Sequence, residues 1–430
     1  MRMWRWVLSL VSLLLWPAMT LAVERFPAPD FRGGYKMPAT EVAPTPSPIW
    51  GYLDVAILSG TLALAAWLVY TKRSRRGVFW LAIFSLIYFG FYRKGCICPV
   101  GSIGNVAYSA GGNGYVLPWI VAAFFALPLL FTLFYGRVFC SSVCPLGAIQ
   151  DLTLWRPVRV PAWLEQGLGL FAYVYLGLAV MFAAVGTELI ICRYDPFVGF
   201  FRLSGPAHML FLGAVFLILS MFIGRVYCRF VCPYGVLLRL LSPFSRQRVS
   251  ITPKDCVDCR LCEQACPFGA IRYPTSKDKT QRSRGRRQLL AVLILLPVLM
   301  GLFAGFGYLG RSAFARMDVT VQLAERLWQE EHKLVEGVTD PSKAFRATGE
   351  PIERVYQRAN VIRRRFAFAS PLFGAWVGLA IGGKLIALVL RRQRTGYTAD
   401  PAGCVACARC YRSCPVEHER RQVEADLLAV

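Results

Sequence analysis

One cysteine spacing, present twice, constrains this chain more than any other feature. Cys256, Cys259, Cys262 and Cys266, followed by Pro267, read C-x2-C-x2-C-x3-C-P, and Cys404, Cys407, Cys410 and Cys414, followed by Pro415, repeat it. Three thiolates two residues apart wrap a tight loop around one face of a cubane. The last cysteine, turned away by the proline, reaches a second cubane. The spacing therefore calls for a duplicate, and the duplicate is there. Structural zinc sites instead pair two C-x2-C knuckles across a longer gap. Two [4Fe–4S] clusters are expected. One would sit on Cys256, Cys259, Cys262 and Cys414, the other on Cys404, Cys407, Cys410 and Cys266.

The rest of the chain is too apolar for a soluble domain: 56% of its 430 residues are hydrophobic and the mean hydropathy is +0.45. A helix that spans a bilayer needs ~20 apolar residues. Residues 1–22 read as a signal peptide or an uncleaved anchor, with Arg2 and Arg5 ahead of the run Val7 to Trp16. Residues 23–49 read as a proline-rich periplasmic linker. Seven spans follow, at about 51–70, 78–92, 115–135, 168–191, 208–223, 289–309 and 366–390. Residues 50–248 thus form a five-span membrane domain, and 249–288 carry the first cysteine motif. Span six takes 289–310, an outer loop 311–365, span seven 366–391, and the second motif 392–430. The expected fold is an α-helical polytopic membrane protein of about seven spans after a signal peptide. It carries a small α+β ferredoxin-like domain for two [4Fe–4S] clusters.

The formal charge of +24 does not point to nucleic acid, because Arg and Lys gather at the ends of the apolar runs. That is the positive-inside pattern. Lys72, Arg73, Arg75 and Arg76 put the end of span one in the cytoplasm. Counting on from there, both cysteine motifs fall on the same side. The outer loop goes against the pattern by ending in Arg363, Arg364 and Arg365. With Val321, Leu323, Leu327 and Leu334 among charges, it reads as a cap of short amphipathic helices, a docking surface or a solvated hairpin. The three histidines, His208, His332 and His418, supply no ligand pair for a haem b, and no C-x2-C-H run marks a haem c.

A second set of cysteines lies at span ends. Span three ends in Gly136-Arg137-Val138-Phe139-Cys140 and continues to Cys144-Pro145-Leu146-Gly147. Span five ends in Gly224-Arg225-Val226-Tyr227-Cys228 and continues to Cys232-Pro233-Tyr234-Gly235. Proline after the second cysteine suits the first turn of a new helix. The cysteine then falls at the N-cap, where the helix dipole and nearby arginines favour a thiolate. Cys140, Cys144, Cys228 and Cys232 are candidates for a four-thiolate site holding iron, an iron–sulfur cluster or copper. A redox-active dithiol pair and a structural role at the turns are the alternatives. On the opposite face Cys96-Ile97-Cys98-Pro99-Val100-Gly101 and Cys192 with Asp195-Pro196 echo the pattern more weakly. Cys96, Cys98, Cys192 and Asp195 read as a metal or redox site, or as cysteines joined by a disulfide on an oxidising face. Asp195 also reads as a helix-capping turn.

These motifs resemble the membrane polyferredoxin family that includes NosR, NirI and NapH. The resemblance runs from about Gly51 to Pro415 and rests on the two C-x3-C-P motifs and the two ferredoxin motifs. It implies a protein of the bacterial inner (cytoplasmic) membrane, with its ferredoxin domain in the cytoplasm. The implied role is electron transfer supporting an anaerobic respiratory reductase, for nitrous oxide or nitrate. The layout is closer to the membrane portion of NosR and NirI than to the shorter NapH. NosR also has a large flavin domain ahead of its spans, and residues 23–48 are too few to fold one. FMN binding is therefore not carried over. The implied redox partner is a separate flavin protein or a periplasmic reductase. No acid, base or nucleophile constellation marks a catalyst with its own substrate. Two rival roles are metal handling or reduction during metalloenzyme assembly, and a membrane redox-sensing regulator.

Overall fold

The computed structural model describes residues 48–95, 98–158, 160–251, 256–274, 280–389 and 396–428. The expected signal peptide, most of the linker and Cys96 lie outside the described residues.

Apolar sequence becomes helix nearly throughout. The longer helices are α1 (Pro48–Tyr70), α2 (Arg75–Ser85), α3 (Pro99–Ala110), α4 (Trp119–Tyr135), α5 (Pro145–Leu152), α6 (Ala162–Val185), α7 (Ala207–Phe222) and α8 (Pro233–Leu241). After the first ferredoxin motif come α9 (Thr280–Leu309), α10 (Val319–Glu331), α11 (Asp340–Ala347), α12 (Ile352–Val389) and α13 (Pro415–Leu428). Four of them, α1, α6, α9 and α12, are long and apolar enough to cross a membrane, while α4 and α7 are shorter apolar helices. The run expected as span two is composite. α2 passes into a π-helical turn over Leu86–Tyr92, a local widening that often marks functional sites.

Two expected boundaries move. α6 stops at Val185 because Gly186 takes a left-handed conformation, φ +93°, as glycine does at helix C-termini. Residues 190–193 then form a separate turn. Span seven, expected from Phe366, belongs to a helix that starts at Ile352. Arg363, Arg364 and Arg365 therefore lie within α12. The outer segment is folded, as short amphipathic helices. α10 and α11 pack on the first turns of α12 around Val321, Ala324, Leu327, Phe345, Val355 and Ala359. The Asp318 carboxylate caps α10 by accepting from the Thr320 amide at 2.7 Å, and Glu330 ties α10 to α11 by accepting from Ser342 at 2.8 Å.

α9 and α12 form a close pair. Gly374 and Gly378 are four residues apart on α12. A Cβ on Gly374 would collide with the Phe303 carbonyl, and one on Gly378 would stand 2.6 Å from that of Leu299. This is the small-residue seam by which membrane helices approach backbone to backbone. Leu293, Ile294, Val298, Leu302 and Phe306 on α9 are exposed, as a lipid-facing helix requires.

The helix ends sort into two groups. At one end the α1–α2 turn, the end of α4 and the segment after α8 meet: Tyr70 donates to the Tyr135 carbonyl at 2.7 Å, and the Arg246 amide to that of Leu133 at 2.9 Å. The ferredoxin motifs dock at this end. At the other, Asn113 after α3 donates to the Ala184 carbonyl at 3.1 Å, and Arg365 to that of Val185 at 3.0 Å. The ferredoxin motifs are joined by strands β1 (Ile271–Arg272) and β2 (Thr398–Ala399), antiparallel, with Ile271 opposite Ala399 and Arg272 opposite Thr398.

Candidate iron–sulfur and thiolate sites

The two ferredoxin loops have the same backbone. Asp258 and Arg260 have φ of +52° and +59°, and Ala406 and Ala408, at the equivalent positions, have φ of +52° and +59°. Left-handed non-glycine residues cost about 1–3 kcal/mol each and persist where the surroundings over-determine them. Their recurrence in both loops ties them to the spacing of the cysteines.

The loops enclose two cavities. One is lined by Cys256, Cys259, Cys262 and Cys414. The other is lined by Cys266, Cys404, Cys407 and Cys410. The structure thus brings together the two expected quartets, each made of three cysteines from one motif and the last from the other. The donor set is all thiol and the other lining is mostly apolar, so each quartet fits a cubane. Among the described residues no three His, Cys, Asp or Glu side chains close on a single ion. A cubane asks for wider spacing, since each thiolate binds a different iron.

The two cavities differ in surroundings. Cys256 and Cys259 are exposed, and all four cysteines of the second cavity are partly covered. Burial pushes the Cys404 thiol up to about 12, with Cys407 and Cys266 adding to it. Burial also raises Cys410 well above the ordinary thiol value and raises Cys266. Buried thiols like these keep their protons until a metal displaces them.

The second loop is fastened to the membrane helices by arginines. Arg75 donates to the Cys407 carbonyl at 3.3 Å and Arg137 to that of Ala402 at 2.9 Å. Arg73 pairs with Glu417 at 2.8 Å. At the centre is Asp151, on α5, with its side chain 3% exposed. It pairs with Arg75 at 2.5 Å, Arg409 at 3.1 Å and Arg225 at 3.6 Å. Burial disfavours its charge, but Arg225, Arg75 and Arg409 outweigh that and hold the carboxyl well below the usual range.

The arginines of the internal repeat reach the next cysteines. Arg137 donates to the Cys140 sulfur at 3.7 Å. Arg225 donates to the carbonyls of Cys140 and Ser141. The repeat is also a repeat of structure. The Cys144 amide donates to the Phe139 carbonyl at 3.0 Å, and that of Cys232 to the Tyr227 carbonyl at 2.9 Å. Cys144 and Cys232 are N-caps, with Pro145 and Pro233 in the first turn. A Cβ on Gly147 or Gly235 would stand 3.2 Å from the Cys140 or Cys228 carbonyl respectively, which accounts for the glycine two places after each proline. Cys140, Cys144 and Cys232 belong to one buried core, and Cys228 packs against it.

Cys98, expected on the opposite face, is a third N-cap of this kind, with Pro99 opening α3. In the same turn Gly101 faces Cys192, whose sulfur a Cβ there would meet at 3.4 Å. The Asp195 carboxylate accepts from the Phe197 amide at 2.8 Å, the hydrogen bond of a capping turn.

Gln150 and Asp151 were not singled out from sequence. Gln150, fully buried, donates to the Cys228 sulfur at 3.3 Å and accepts from the Tyr227 amide at 3.0 Å. A signal existed: at the matching places of the second repeat stand Leu238 and Arg239, so the repeat breaks where these two side chains work.

Known proteins carry the same features. A 4Fe-4S binding domain family matches residues 117–169 and 206–252, one stretch for each C-x3-C-P unit, and a second 4Fe-4S binding domain family matches 249–272. An uncharacterized protein of Methanocaldococcus jannaschii is 31% identical over 42% of this chain and 77% of its own length. The regulatory protein NosR of Pseudomonas aeruginosa is 29% identical over 44% of this chain, and NirI of Paracoccus denitrificans 34% identical over 32%. The chain belongs to the NosR/NirI-type family of 4Fe-4S membrane proteins. It spans 28% of that NosR and 22% of that NirI, so it shares only part of their length. No solved structure matches it.

Proposed function

We propose that this chain is a membrane electron carrier that passes electrons between two cytoplasmic [4Fe–4S] clusters and a partner in or beyond the bacterial inner membrane. The observation that carries the reading is the pair of cavities, each lined by a quartet of cysteines crossed between the motifs. When bound, the clusters supply one-electron transfer without proton or group chemistry. Cys256, Cys259, Cys262 and Cys414 hold one at the exposed position, where a soluble donor or acceptor has access. Cys404, Cys407, Cys410 and Cys266 hold the other against the membrane helices. Arg137 links that loop to Cys140, donating to the Ala402 carbonyl and to the Cys140 sulfur. The gathering of arginine-rich helix ends around the ferredoxin loops supports a cytoplasmic placement. Seven crossings, with α2 and its π-helical turn as the second, keep both loops at one end. An anaerobic respiratory reductase, or a separate flavin protein that feeds one, is the partner we assign.

The test is anaerobic purification with iron and sulfide analysis and EPR of the reduced protein. About eight irons are expected from the two cubanes, with two magnetically interacting centres. An unchanged EPR signal in both Cys259→Ser and Cys407→Ser would refute the cluster assignment.

A further inference from the structure

The start of α6 gathers more positive charge than the protein neutralises there. Arg229, in the second C-x3-C-P turn, pairs with Glu165 at 2.6 Å, its own side chain 9% exposed. Arg239, in the last turn of α8, donates to the Arg229 carbonyl at 2.5 Å. Lys384, near the end of α12, donates to the Gln166 carbonyl at 2.6 Å. These contacts gather three cations around two successive residues of α6. Among the described residues, Glu165 is the one carboxylate paired with any of them.

Arg239 and Lys384 are half-buried, and the carbonyl that each one binds carries no net charge. A half-buried cation without a counter-ion is costly. The placement of Lys384 is built into the sequence: a Cβ on Gly169 would stand 2.7 Å from its ammonium, so the missing side chain is what admits it to α6. The ammonium also lies 5.6 Å from the centre of the Tyr173 ring, within cation–π range. An ammonium has three N–H donors and a guanidinium five, so each carbonyl contact leaves others for an anion. The N-cap of α6, Pro161, provides no side-chain cap, and the positive end of the helix dipole acts at the same place.

The surroundings point to the source of that anion. α6 and α12 are both long and apolar enough to cross a membrane, and the cations lie at the first turns of one and the last turns of the other. Trp163 is 76% exposed and Trp155 65% exposed, as tryptophans are at a membrane–water interface. Farther along α6, Leu168 and Phe171 are exposed.

We propose that Arg239, Lys384 and the first turn of α6 bind the phosphate of an anionic phospholipid in the leaflet on the ferredoxin side. The phosphodiester supplies the missing negative charge, and an acyl chain lies along Leu168 and Phe171. The site goes beyond the electron-carrier reading and does not depend on it. Because α12 leads into the second ferredoxin loop, a lipid bridging α12 to α8 steadies the helix that delivers that loop.

The test is lipid titration of the whole chain in detergent, read by native mass spectrometry and by melting temperature. Phosphatidylglycerol should bind in preference to phosphatidylcholine, which carries a phosphate but no net charge, and should raise the melting temperature. A cation near an anionic headgroup is worth about a fivefold change in binding, so Arg239→Gln with Lys384→Gln should weaken phosphatidylglycerol binding about 25-fold. Lys384→Met alone, which keeps the apolar stem, should weaken it about fivefold. Arg316→Gln with Arg358→Gln, on the outer segment, should leave it unchanged. Gel filtration and circular dichroism report whether each variant is folded. Equal binding of the two lipids by the unsubstituted chain overturns the proposal, and so does an undiminished preference in either folded variant of the site. If inorganic phosphate alone raises the melting temperature as much, the site takes free phosphate and the lipid assignment fails.

Discussion

The two ferredoxin loops share a spacing and a backbone yet live in opposite surroundings. The loop from Cys256 presents Val257 and Leu261 outward, 64% and 44% exposed, whereas Val405, Ala406 and Ala408 of the loop from Cys404 are buried. Arg75, Arg137 and Arg409 bind the second loop to the helix ends and Asp151. The first is continuous with the segment after α8, and the second arrives on the α9–α12 pair. One spacing, placed differently, thus gives one cysteine quartet with two exposed members and one fastened against the helix ends.

The largest effect should come from crossing the loops. Because the last cysteine of each motif serves the other quartet, Cys414→Ser should remove the centre that Cys259→Ser removes. Cys266→Ser should remove the one that Cys407→Ser removes. Each substitution should take away about four irons, and EPR of the reduced variants should group them in those pairs. Grouping by motif instead would break the comparison at its root.

Next in size is Asp151→Asn. It leaves Arg75, Arg225 and Arg409 gathered around a neutral side chain, and breaking a buried pair costs about 3–5 kcal/mol. The expected readout is faster proteolysis and hydrogen exchange at residues 404–414, with the first loop unchanged and partial rescue by Asp151→Glu. Equal loosening of both loops would show that Asp151 does not fasten the second one in particular. Smaller again is Gly374→Ala. Its methyl would press on the Phe303 carbonyl and should cost about 1–3 kcal/mol, read as a lower melting temperature in detergent. The second loop's centre should be lost before the first loop's on heating.

The chemistry was more legible in sequence than the architecture that holds it. The crossed quartets follow from spacing alone, because C-x2-C-x2-C-x3-C-P has few ways to wrap a cubane. The N-cap positions of Cys144 and Cys232 follow from proline's missing amide. Asp151 was not legible: its meaning depends on three arginines from α2, the second repeat and the loop between Cys407 and Cys410, all distant in sequence. The Gly374/Gly378 seam was visible as a spacing of four, but only the carbonyls of Phe303 and Leu299 show what the missing side chains admit.

The smallest effect tests burial itself. In the metal-free protein the Cys404 thiol is pushed up to about 12 by burial, and Cys410 lies well above the ordinary value; an unperturbed cysteine titrates near ~8.5. Iron binds thiolates, so protons must leave as the cluster forms. Groups with raised values hold their protons over the whole neutral range, and raising the pH therefore favours loading. Reconstitution with iron and sulfide in Cys259→Ser, which isolates the buried quartet, should become faster and more complete from about pH 7 to 9. The same experiment in Cys407→Ser isolates the exposed quartet, where Cys256 and Cys259 face solvent, and its gain with pH should be smaller. Equal pH responses would mean that the arginines around the second loop, Arg137 beside Cys404 first among them, offset the burial of its thiols during assembly.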